Sequence, residues 1–393
     1  MITKTPSFSF GIEEEYFLVD LATRALASKV PPALFAACAK RLGKRFCQEY
    51  MHAQVEVSTP VCTGMAEARQ SLIEARHIIA HEAAKFGLAP IAASTHPFSR
   101  WDRQAHADTA RYRAIAQEFQ GVGRRMIING LHVHVGISSN AERIRLMNGV
   151  KPILPLLLAL STSSPYWQGE ATGLKSYRTA INGSTPRTGI PEAFADWSDY
   201  QRTIGALQKA GAIEDASKIW WDLRPSANFP TLEMRITDAC PALEDGLCLA
   251  ALFRCYCRYL SRSPDGMAAQ TPLALINENR WRAQRYGIDD GLIDPATGRM
   301  TQVDDLVEDL LLRIGSDAIA LDCVGEVEHA RTILARGTSA DRQLASYQRL
   351  RKQGRSARTA LRGVVDLLVA ETVPRKAARP VTERLHLREA ASA

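Results

Sequence analysis

Four short segments of this chain carry polar, mostly ionisable side chains two residues apart. This spacing matches the β-strand repeat, in which alternate side chains point to the same face of a sheet. The pairs are Glu13 and Glu15, Gln54 and Glu56, His132 and His134, and Glu233 and Arg235. Four such strands side by side would line one surface with carboxylates, imidazoles and a guanidinium. Such a surface suits divalent metal ions and a polyphosphate.

The polar strands alternate with helical patterns and long loops. Parallel strands buried on both faces would read as continuous apolar runs, so this alternation favours strands with one face turned towards a site. We therefore predict an α+β fold whose antiparallel sheet is polar on one face and packed by helices on the other. Strands are expected over 7–20, 48–58, 88–95 and 127–138, and 218–240 is expected to form a strand, a loop and a second strand. Helices are expected over 64–87, 198–213, 242–263 and 302–370, with a short helix and turn over 111–126 and a helix bent by prolines over 142–164.

No change in composition marks a domain boundary along the 393 residues. We expect one catalytic domain over residues 1–375 and a flexible C-terminal tail over 376–393. The stretch 164–194 is dense in Gly, Pro, Ser and Thr. An irregular segment of that length inside a compact domain is usually a functional loop or a lid.

The eight cysteines form no CxxC pair and are too sparse for a small disulfide scaffold. They are expected to be reduced and mostly buried. Cys255 and Cys257 fall on a predicted helix, where residues two apart point in different directions, so they are not expected to chelate a metal together.

Charge and hydropathy narrow the class of partner. The formal net charge of +7 comes largely from basic residues late in the chain, and these lack the interleaved aromatic residues of a nucleic-acid surface. No apolar run approaches the ~20 residues that span a bilayer, and the N-terminus has no signal-type apolar block. We expect small-molecule substrates in the cytoplasm, with neither nucleic acid nor a membrane as partner.

The composition of the polar face indicates its metal. Carboxylates outnumber imidazoles and no thiolate is expected among the ligands, which favours Mg²⁺ or Mn²⁺ completed by phosphate oxygens. Arg235 would balance charge on a transferring phosphoryl group. Each pair also has a structural explanation: a solvated strand, hydrogen-bonded imidazoles or a neighbouring ion pair. An HxH strand also occurs in metallohydrolases, so His132 and His134 alone select no reaction.

Several segments together resemble the carboxylate-amine ligases of the glutamate-cysteine ligase type 2 family, in its glutamate-cysteine ligase 2 subfamily. The segments are FGIEEEYFLVD, QVEVSTP, NGLHVHVGI, PRTGIP, WWDLRP and TLEMRITDACP, in order between about residue 8 and about residue 370. The resemblance implies a glutamine-synthetase-like catalytic core. In that core an antiparallel sheet forms a funnel for ATP, Mg²⁺ ions and an amino acid.

The resemblance also implies roles for individual residues. The implied metal ligands are Glu13, Glu15, Glu49, Glu56, His132 and Glu233. Arg235 and His132 are implied as catalytic residues. The residues implied to contact ATP or substrate are His134, Arg178, Arg187, Arg224 and Arg235.

The implied reaction has two steps. ATP phosphorylates the γ-carboxylate of glutamate, and an amine, cysteine or another, attacks the acyl phosphate to form an amide. Two alternatives stay open: a metal-dependent hydrolase that uses the HxH strand, and a non-catalytic nucleotide-binding regulator. The sequence does not identify the amine. A homodimer is compatible with this fold.

Overall fold

The computed structural model describes residues 8–262 and 271–373. Within these ranges the strands are β1 Phe10–Asp20, β2 Phe46–Gln48, β3 Gln54–Ser58, β4 Leu88–Ile91, β5 Leu131–Gly136, β6 Tyr166–Trp167, β7 Glu170–Ala171, β8 Thr188–Gly189, β9 Trp220–Trp221, β10 Leu223–Pro225, β11 Thr231–Met234, β12 Leu292–Ile293 and β13 Met300–Thr301. The helices are α1 Pro32–Leu42, α2 Met65–Ala84, α3 Ala110–Gly123, α4 Asn140–Val150, α5 Leu154–Ser161, α6 Tyr177–Asn182, α7 Trp197–Lys209, α8 Leu243–Arg262, α9 Leu273–Tyr286, α10 Val303–Ala320, α11 Val324–Arg336, α12 Ser339–Lys352 and α13 Ala357–Thr372.

Seven of the strands form one sheet in the order β10-β11-β5-β1-β3-β2, and β4 pairs with the second half of β1. Every pairing within this sheet is antiparallel. The predicted α+β class with an antiparallel sheet is confirmed. All four segments that carry the spaced polar pairs contribute to this sheet.

Strand β1 shows why the two faces of the sheet differ. Ile12 and Tyr16 point to the packed face, where both side chains are almost fully buried. Helices α2 and α8 pack on that face, α2 against β1 and α8 against β5. Glu14 is also directed there, and the buried guanidinium of Arg76 on α2 pairs with it. The side chains of Glu13 and Glu15 therefore point to the opposite face, which carries the candidate site.

The segment predicted as one strand over 48–58 is two strands joined by a turn. β2 pairs with β3 in antiparallel register, so the chain must reverse between Gln48 and Gln54. The backbone N–H of Gln54 donates to Met51 O at 2.9 Å and closes the turn. Glu49 therefore lies in this turn and not on a strand.

The structure differs from the predicted secondary structure at three other places. The strand expected over 88–95 ends at Ile91. The loop-like segment 164–194 contains β6, β7, α6 and β8. The C-terminal helical region is preceded by α9, β12 and β13, which no sequence pattern had indicated.

The helical stretch Asn140–Ser161 comprises α4, α5 and a 3₁₀ turn at Lys151–Ile153, where Pro152 interrupts the α-helical pattern. By length and hydropathy alone this stretch could cross a membrane, contrary to the expectation that no run approaches that length. However, 72% of its most apolar window is buried inside the protein. Burial of that kind is typical of a core helix. The predicted tail, residues 376–393, lies outside the described residues.

Candidate active site

The strand register places the predicted polar residues opposite one another on a single face. Glu13 on β1 is opposite His132 on β5, and Glu15 is opposite Glu56 on β3. In β11, Glu233 is opposite His134 on one side and Arg224 of β10 on the other. Directly opposed residues share a face and have neighbouring side chains. The structure thus joins four separate sequence patterns into one surface.

The two histidines lie between the carboxylates. His132 Nδ1 is 3.3 Å from a Glu13 oxygen, and His132 Nε2 is 3.9 Å from a Glu15 oxygen. His134 Nε2 is buried 3.3 Å from the other Glu13 oxygen without a well-directed hydrogen bond. The Nδ1 of His134 is occupied by the Thr231 hydroxyl at 2.9 Å, which leaves Nε2 turned towards the carboxylates.

Three groups of side chains in the described part of the chain could hold a metal ion. In each group one potential ligand atom per residue lies within 4.8 Å of the others. The groups are Glu13, His134 and Glu233; Glu13, Glu56 and His132; and Cys47, Glu49 and Glu56. Glu13 belongs to two groups and Glu56 to two, so the three positions adjoin one another along the sheet.

The carboxylates repel one another strongly when no cation is bound. Burial and then the charge of Glu49 raise the pKa of Glu15 to about 8. Burial, followed by the charges of Glu49, Glu13 and Glu15, also holds the pKa of Glu56 well above its ordinary value. Glu13 differs, because its two neighbouring imidazoles outweigh burial and hold its pKa well below the usual range. A divalent cation would relieve the repulsion, and the oxygen-rich donor set fits Mg²⁺ or Mn²⁺.

His132 is suited to be a neutral ligand. Burial and then the positive charge of Arg235 lower the pKa of His132 to about 4. The imidazole is therefore uncharged at neutral pH and keeps a nitrogen lone pair for a metal.

Two arginines surround Glu233 at the other end of the surface. The Nε of Arg224 donates to a Glu233 oxygen at 2.8 Å, and Arg235 contacts the second oxygen. Burial opposes ionisation of Glu233, but Arg235 and Arg224 outweigh it, so the pKa of this carboxyl is lowered. Arg235 Nη1 also lies 3.4 Å from His132 Nδ1, which places a cation directly beside the carboxylate groups.

Gly130 makes room for a third arginine. A methyl group at Gly130 would lie 2.6 Å from Arg178 Nη2 and 2.8 Å from His132 Nε2, so only glycine fits without displacing them. The backbone N–H of Gly130 donates to Glu15 at 2.6 Å. Arg178 donates to the carbonyl of Arg235 at 3.0 Å, which fixes its guanidinium over the end of β11.

Gln54 holds the segment that leads into Gly130 and β5. Its amide donates to Ile128 O at 2.8 Å and to Asn129 Oδ1 at 2.7 Å, immediately before Gly130. This buried bracing role agrees with the absence of Gln54 from the predicted ligands.

Cys47 corrects the expectation that no thiol lies among the possible ligands. It is opposite Glu56 across the β2–β3 pairing, and its sulfur is 3.7 Å from a Glu56 oxygen. Cys47 is exposed at the residue level, but its sulfur is packed against the carboxylates, and this partial desolvation, followed by the charges of Glu56 and Glu49, raises its pKa. A thiol in that state is a poor ligand for a hard cation.

A cavity of about 530 Å³ opens over this surface. Most of the predicted residues line it: Glu13, Glu15, Glu49, Glu56, His132, Arg178, Arg224 and Arg235. Its opposite wall is apolar and includes Tyr112, Ile115 and Phe119 of α3, together with Trp220. This wall was missed in the sequence because nothing local distinguishes its residues from ordinary core positions.

Arg187 is the one predicted residue that the structure leaves apart from the rest. Its guanidinium lies 5.1 Å from the ring of Trp220 and pairs with Glu118 of α3 at 2.9 Å. It is not among the residues that line the cavity. Glu233 and His134 do not line the cavity either, but both contact other residues of the site. Arg187 contacts Trp220 and Glu118 instead, so any effect on a bound substrate would pass through Trp220 or α3.

Comparisons with known proteins identify the family of this chain. A family model described as glutamate-cysteine ligase family 2 (GCS2) matches residues 9–371. A Rhodospirillum rubrum protein named "Putative glutamate--cysteine ligase 2" is 50% identical over 376 residues, covering 94% of this chain and 97% of the relative. A Jannaschia sp. protein of the same name is 49% identical over 366 residues, covering 93% and 96%.

Two solved structures share the fold. A glutamate–cysteine ligase from Francisella tularensis in complex with AMP matches with a TM-score of 0.69 at 11% identity, covering 93% of this chain and 89% of that one. A bifunctional glutathione synthetase from Pasteurella multocida matches with a TM-score of 0.66 at 15% identity, covering 93% and 52%. These likenesses confirm the predicted fold. On the family match and these sequence relatives, the chain belongs to glutamate-cysteine ligase family 2.

Proposed function

We propose that this chain is an ATP- and Mg²⁺-dependent carboxylate-amine ligase that forms ADP. The observation that carries the proposal is the meeting of two carboxylate–imidazole groups on one sheet face, next to Arg235. In this proposal glutamate supplies the γ-carboxylate, and cysteine or another amine supplies the nitrogen. Mn²⁺ could replace Mg²⁺ in the same donor set.

The metal ligands in this proposal are Glu13, Glu15, Glu49, Glu56, His132 and Glu233. When bound there, the cations would neutralise phosphate oxygens and so favour phosphoryl transfer. The carboxylates bind the cations, and the neutral His132 supplies a nitrogen donor. Glu13 would be shared, because it belongs to two of the possible ligand groups.

Arginine side chains would act on the substrate phosphates. Arg235 lies beside both Glu233 and His132, so its charge is already fixed where a phosphoryl group would pass from ATP to the carboxylate. Arg224 and Arg178 line the same cavity and are proposed to contact phosphate or the substrate carboxylate. His134, 4.0 Å from Glu233, is proposed to take part in the same contacts. Fixed charges of this kind stabilise a transition state without reorganising during the reaction.

A carboxylate is a poor electrophile, and its activation as an acyl phosphate explains the need for ATP. The amine then attacks the acyl carbon and phosphate leaves. No enzyme nucleophile takes part in this scheme. The apolar wall formed by α3 would limit the access of water to the acyl phosphate.

The test measures ADP formation with ATP, Mg²⁺, glutamate and a panel of amines. We expect ADP release to depend on the carboxylate substrate and on one or more amines. Glu56→Gln should lower turnover by about 100-fold or more, since it removes a charged ligand from two groups. Glu308→Gln is the matched control, because Glu308 is a surface residue paired with Arg331.

The same experiment separates the alternatives. A metal-dependent hydrolase that uses the HxH strand would be active without ATP, and its purified form would carry zinc or manganese. A nucleotide-binding regulator would bind ATP with no turnover. ADP release that does not depend on any carboxylate would contradict the ligase proposal. We also propose a cytoplasmic location, with small molecules as the partners and a homodimer as a compatible assembly.

A further inference from the structure

A pair of thiols lies in the helical layer, away from the cavity described above. Cys255 is on the buried helix α8, and Cys323 is the residue that immediately precedes α11. Their sulfur atoms are 3.3 Å apart, although the residues are 68 positions apart in the chain. Both side chains are buried. A disulfide has a sulfur–sulfur bond of about 2.0 Å, so a small side-chain rotation would bring these sulfurs to bonding distance.

We propose that Cys255 and Cys323 form a disulfide when the folded protein meets a peroxide, and that this bond links α8 to the start of α11. The inference does not depend on the ligase proposal. Neither the family match nor any feature of the cavity assigns a role to these two residues.

A buried cation lies next to the pair. Arg254 precedes Cys255 and donates to the carbonyls of Phe8 and Thr63, each at 2.7 Å. Among the residues that the structure describes, its Nη1 has no hydrogen-bond partner. An unpartnered guanidinium nitrogen in the core favours a negative charge nearby, and a thiolate on one of the two sulfurs would provide it.

The two sulfurs are not equivalent. A hydrogen bond from the Cys255 thiol, supported by the charge of Arg254, lowers the pKa of Cys323. The same contact with Cys323, together with burial, raises the pKa of Cys255. Cys323 is therefore the nucleophile of the pair and Cys255 the thiol that resolves it.

The local backbone explains how a small oxidant reaches a buried sulfur. Cys323 lies in the turn between α10 and α11, and both of its neighbours, Asp322 and Val324, are exposed. Asp322 has a φ of 49°, a left-handed conformation that is uncommon outside glycine and that aspartate adopts mainly in turns. Opening this single turn would expose Cys323 without unfolding the core.

The chemical steps balance with hydrogen peroxide as the oxidant. The Cys323 thiolate attacks one peroxide oxygen and the O–O bond breaks, which leaves a sulfenic acid on Cys323. The hydroxide that departs takes up the proton that Cys323 had released and becomes the first water. The sulfur of Cys255 then attacks the Cys323 sulfur, and the departing hydroxide takes the Cys255 proton to form water. Two thiols and one peroxide thus become one disulfide and two waters, with two electrons passing from the sulfurs to the peroxide.

The test uses the folded, full-length protein treated with hydrogen peroxide, followed by alkylation of the remaining thiols and tryptic mapping without reductant. We expect a cross-linked species that joins peptide 255–258 to peptide 314–331 and has lost two hydrogens. Dithiothreitol should release it. The cross-linked protein should also unfold at a higher temperature than the reduced protein, because the bond closes a long loop of the unfolded chain.

Matched variants locate the bond. Cys255→Ser and Cys323→Ser should each abolish the cross-link. Cys257 shares the tryptic peptide with Cys255, so a variant is needed to tell the two thiols apart. Cys257→Ser must keep the cross-link. Cys248→Ser, a change on the same helix at an equally buried position, must keep it as well. Circular dichroism melting would confirm that each variant is folded.

The wild-type map decides the question even if a variant fails to fold. A folded, peroxide-treated protein in which Cys255 and Cys323 both remain free thiols would overturn the proposal. So would a map in which only the exposed Cys47 is oxidised.

Discussion

Glu15 shows most clearly how single residues in the cavity depend on a counter-charge. The pKa of Glu15 is raised to about 8, compared with roughly 4.3 for an unfolded chain. Between these values the folded protein keeps a proton that the unfolded chain has released. The metal-free protein therefore loses stability as the pH rises through this range.

A pH series would test this prediction. The low pKa of His132 acts in the opposite direction below about pH 6.5, so the useful window lies between about pH 6.5 and 8. Burial lowers the pKa of His134, but Glu13 and Glu233 outweigh it and raise that pKa, which adds a loss of the same sign, so the comparison with a Glu15 variant isolates Glu15. We expect the free energy of unfolding of the chelator-treated protein to fall across this window by up to about 1.4 kcal/mol per pH unit for each such carboxyl. Urea unfolding measures the slope, which should be shallower in Glu15→Gln. An equal slope in that variant would contradict the assignment.

Arg235 and Arg187 provide a second prediction for individual residues. Arg235 lies against Glu233 and His132, whereas Arg187 lies behind Trp220 and pairs with Glu118. Arg235→Lys should lower kcat/KM by about 100-fold or more, because a point charge on a flexible stem replaces a fixed planar cation. Arg187→Lys, its matched control, should change kcat/KM little. Equal losses in steady-state assays of the two variants would show that the cavity does not define the site.

At the level of secondary-structure elements, one buried ion pair fixes several of them beneath the site. Arg76 of α2 donates to Glu14 of β1 and to the carbonyls of Cys240, Pro241 and Thr372. It thereby joins the sheet, the segment before α8 and the end of α13. Arg76→Met leaves the Glu14 charge buried and these carbonyls unpaired, which should cost about 3–5 kcal/mol.

Urea unfolding would measure that loss of stability. Arg331→Met is the control, since Arg331 pairs with Glu308 on the surface, where such pairs contribute at most about 1 kcal/mol. If Arg76→Met proved no more destabilising than Arg331→Met, the buried pair would not hold these elements together.

The elements also show how far the sequence could predict the structure. Alternation alone predicted β1 and β5 and the face that carries Glu13, Glu15 and His132, because ionisable and apolar side chains alternate along both strands. The side-by-side order of the strands could not be read from local spacing, since it depends on pairings between distant segments. The α3 wall was missed for the same reason: its role depends on what it faces. Glu49 was named through the family motif, and only the structure places it in a turn.

On the scale of the whole molecule, the sheet separates two environments. One face packs on α2 and α8. The other carries the charged cavity beside a second apolar cluster, in which Phe17 and Val19 of β1 pack with residues of α3 and α13. The chain belongs to glutamate-cysteine ligase family 2 and shares its fold with a glutamate–cysteine ligase from Francisella tularensis. Oxygen-rich metal ligands beside fixed arginines suit the activation of a carboxylate by phosphoryl transfer. The central claim is therefore that an acyl phosphate forms in this cavity.

Oxygen-18 transfer tests that claim most directly. Glutamate labelled with ¹⁸O in its γ-carboxylate is incubated with ATP, Mg²⁺, the protein and the amine that supports ADP release, and the inorganic phosphate is analysed by mass spectrometry. If the carboxylate is phosphorylated and the amine displaces phosphate, each phosphate released should carry one ¹⁸O atom. Glu56→Gln should release almost none. Phosphate without ¹⁸O, formed at the same rate as ADP, would mean that water and not the carboxylate had accepted the phosphoryl group, which would contradict the account.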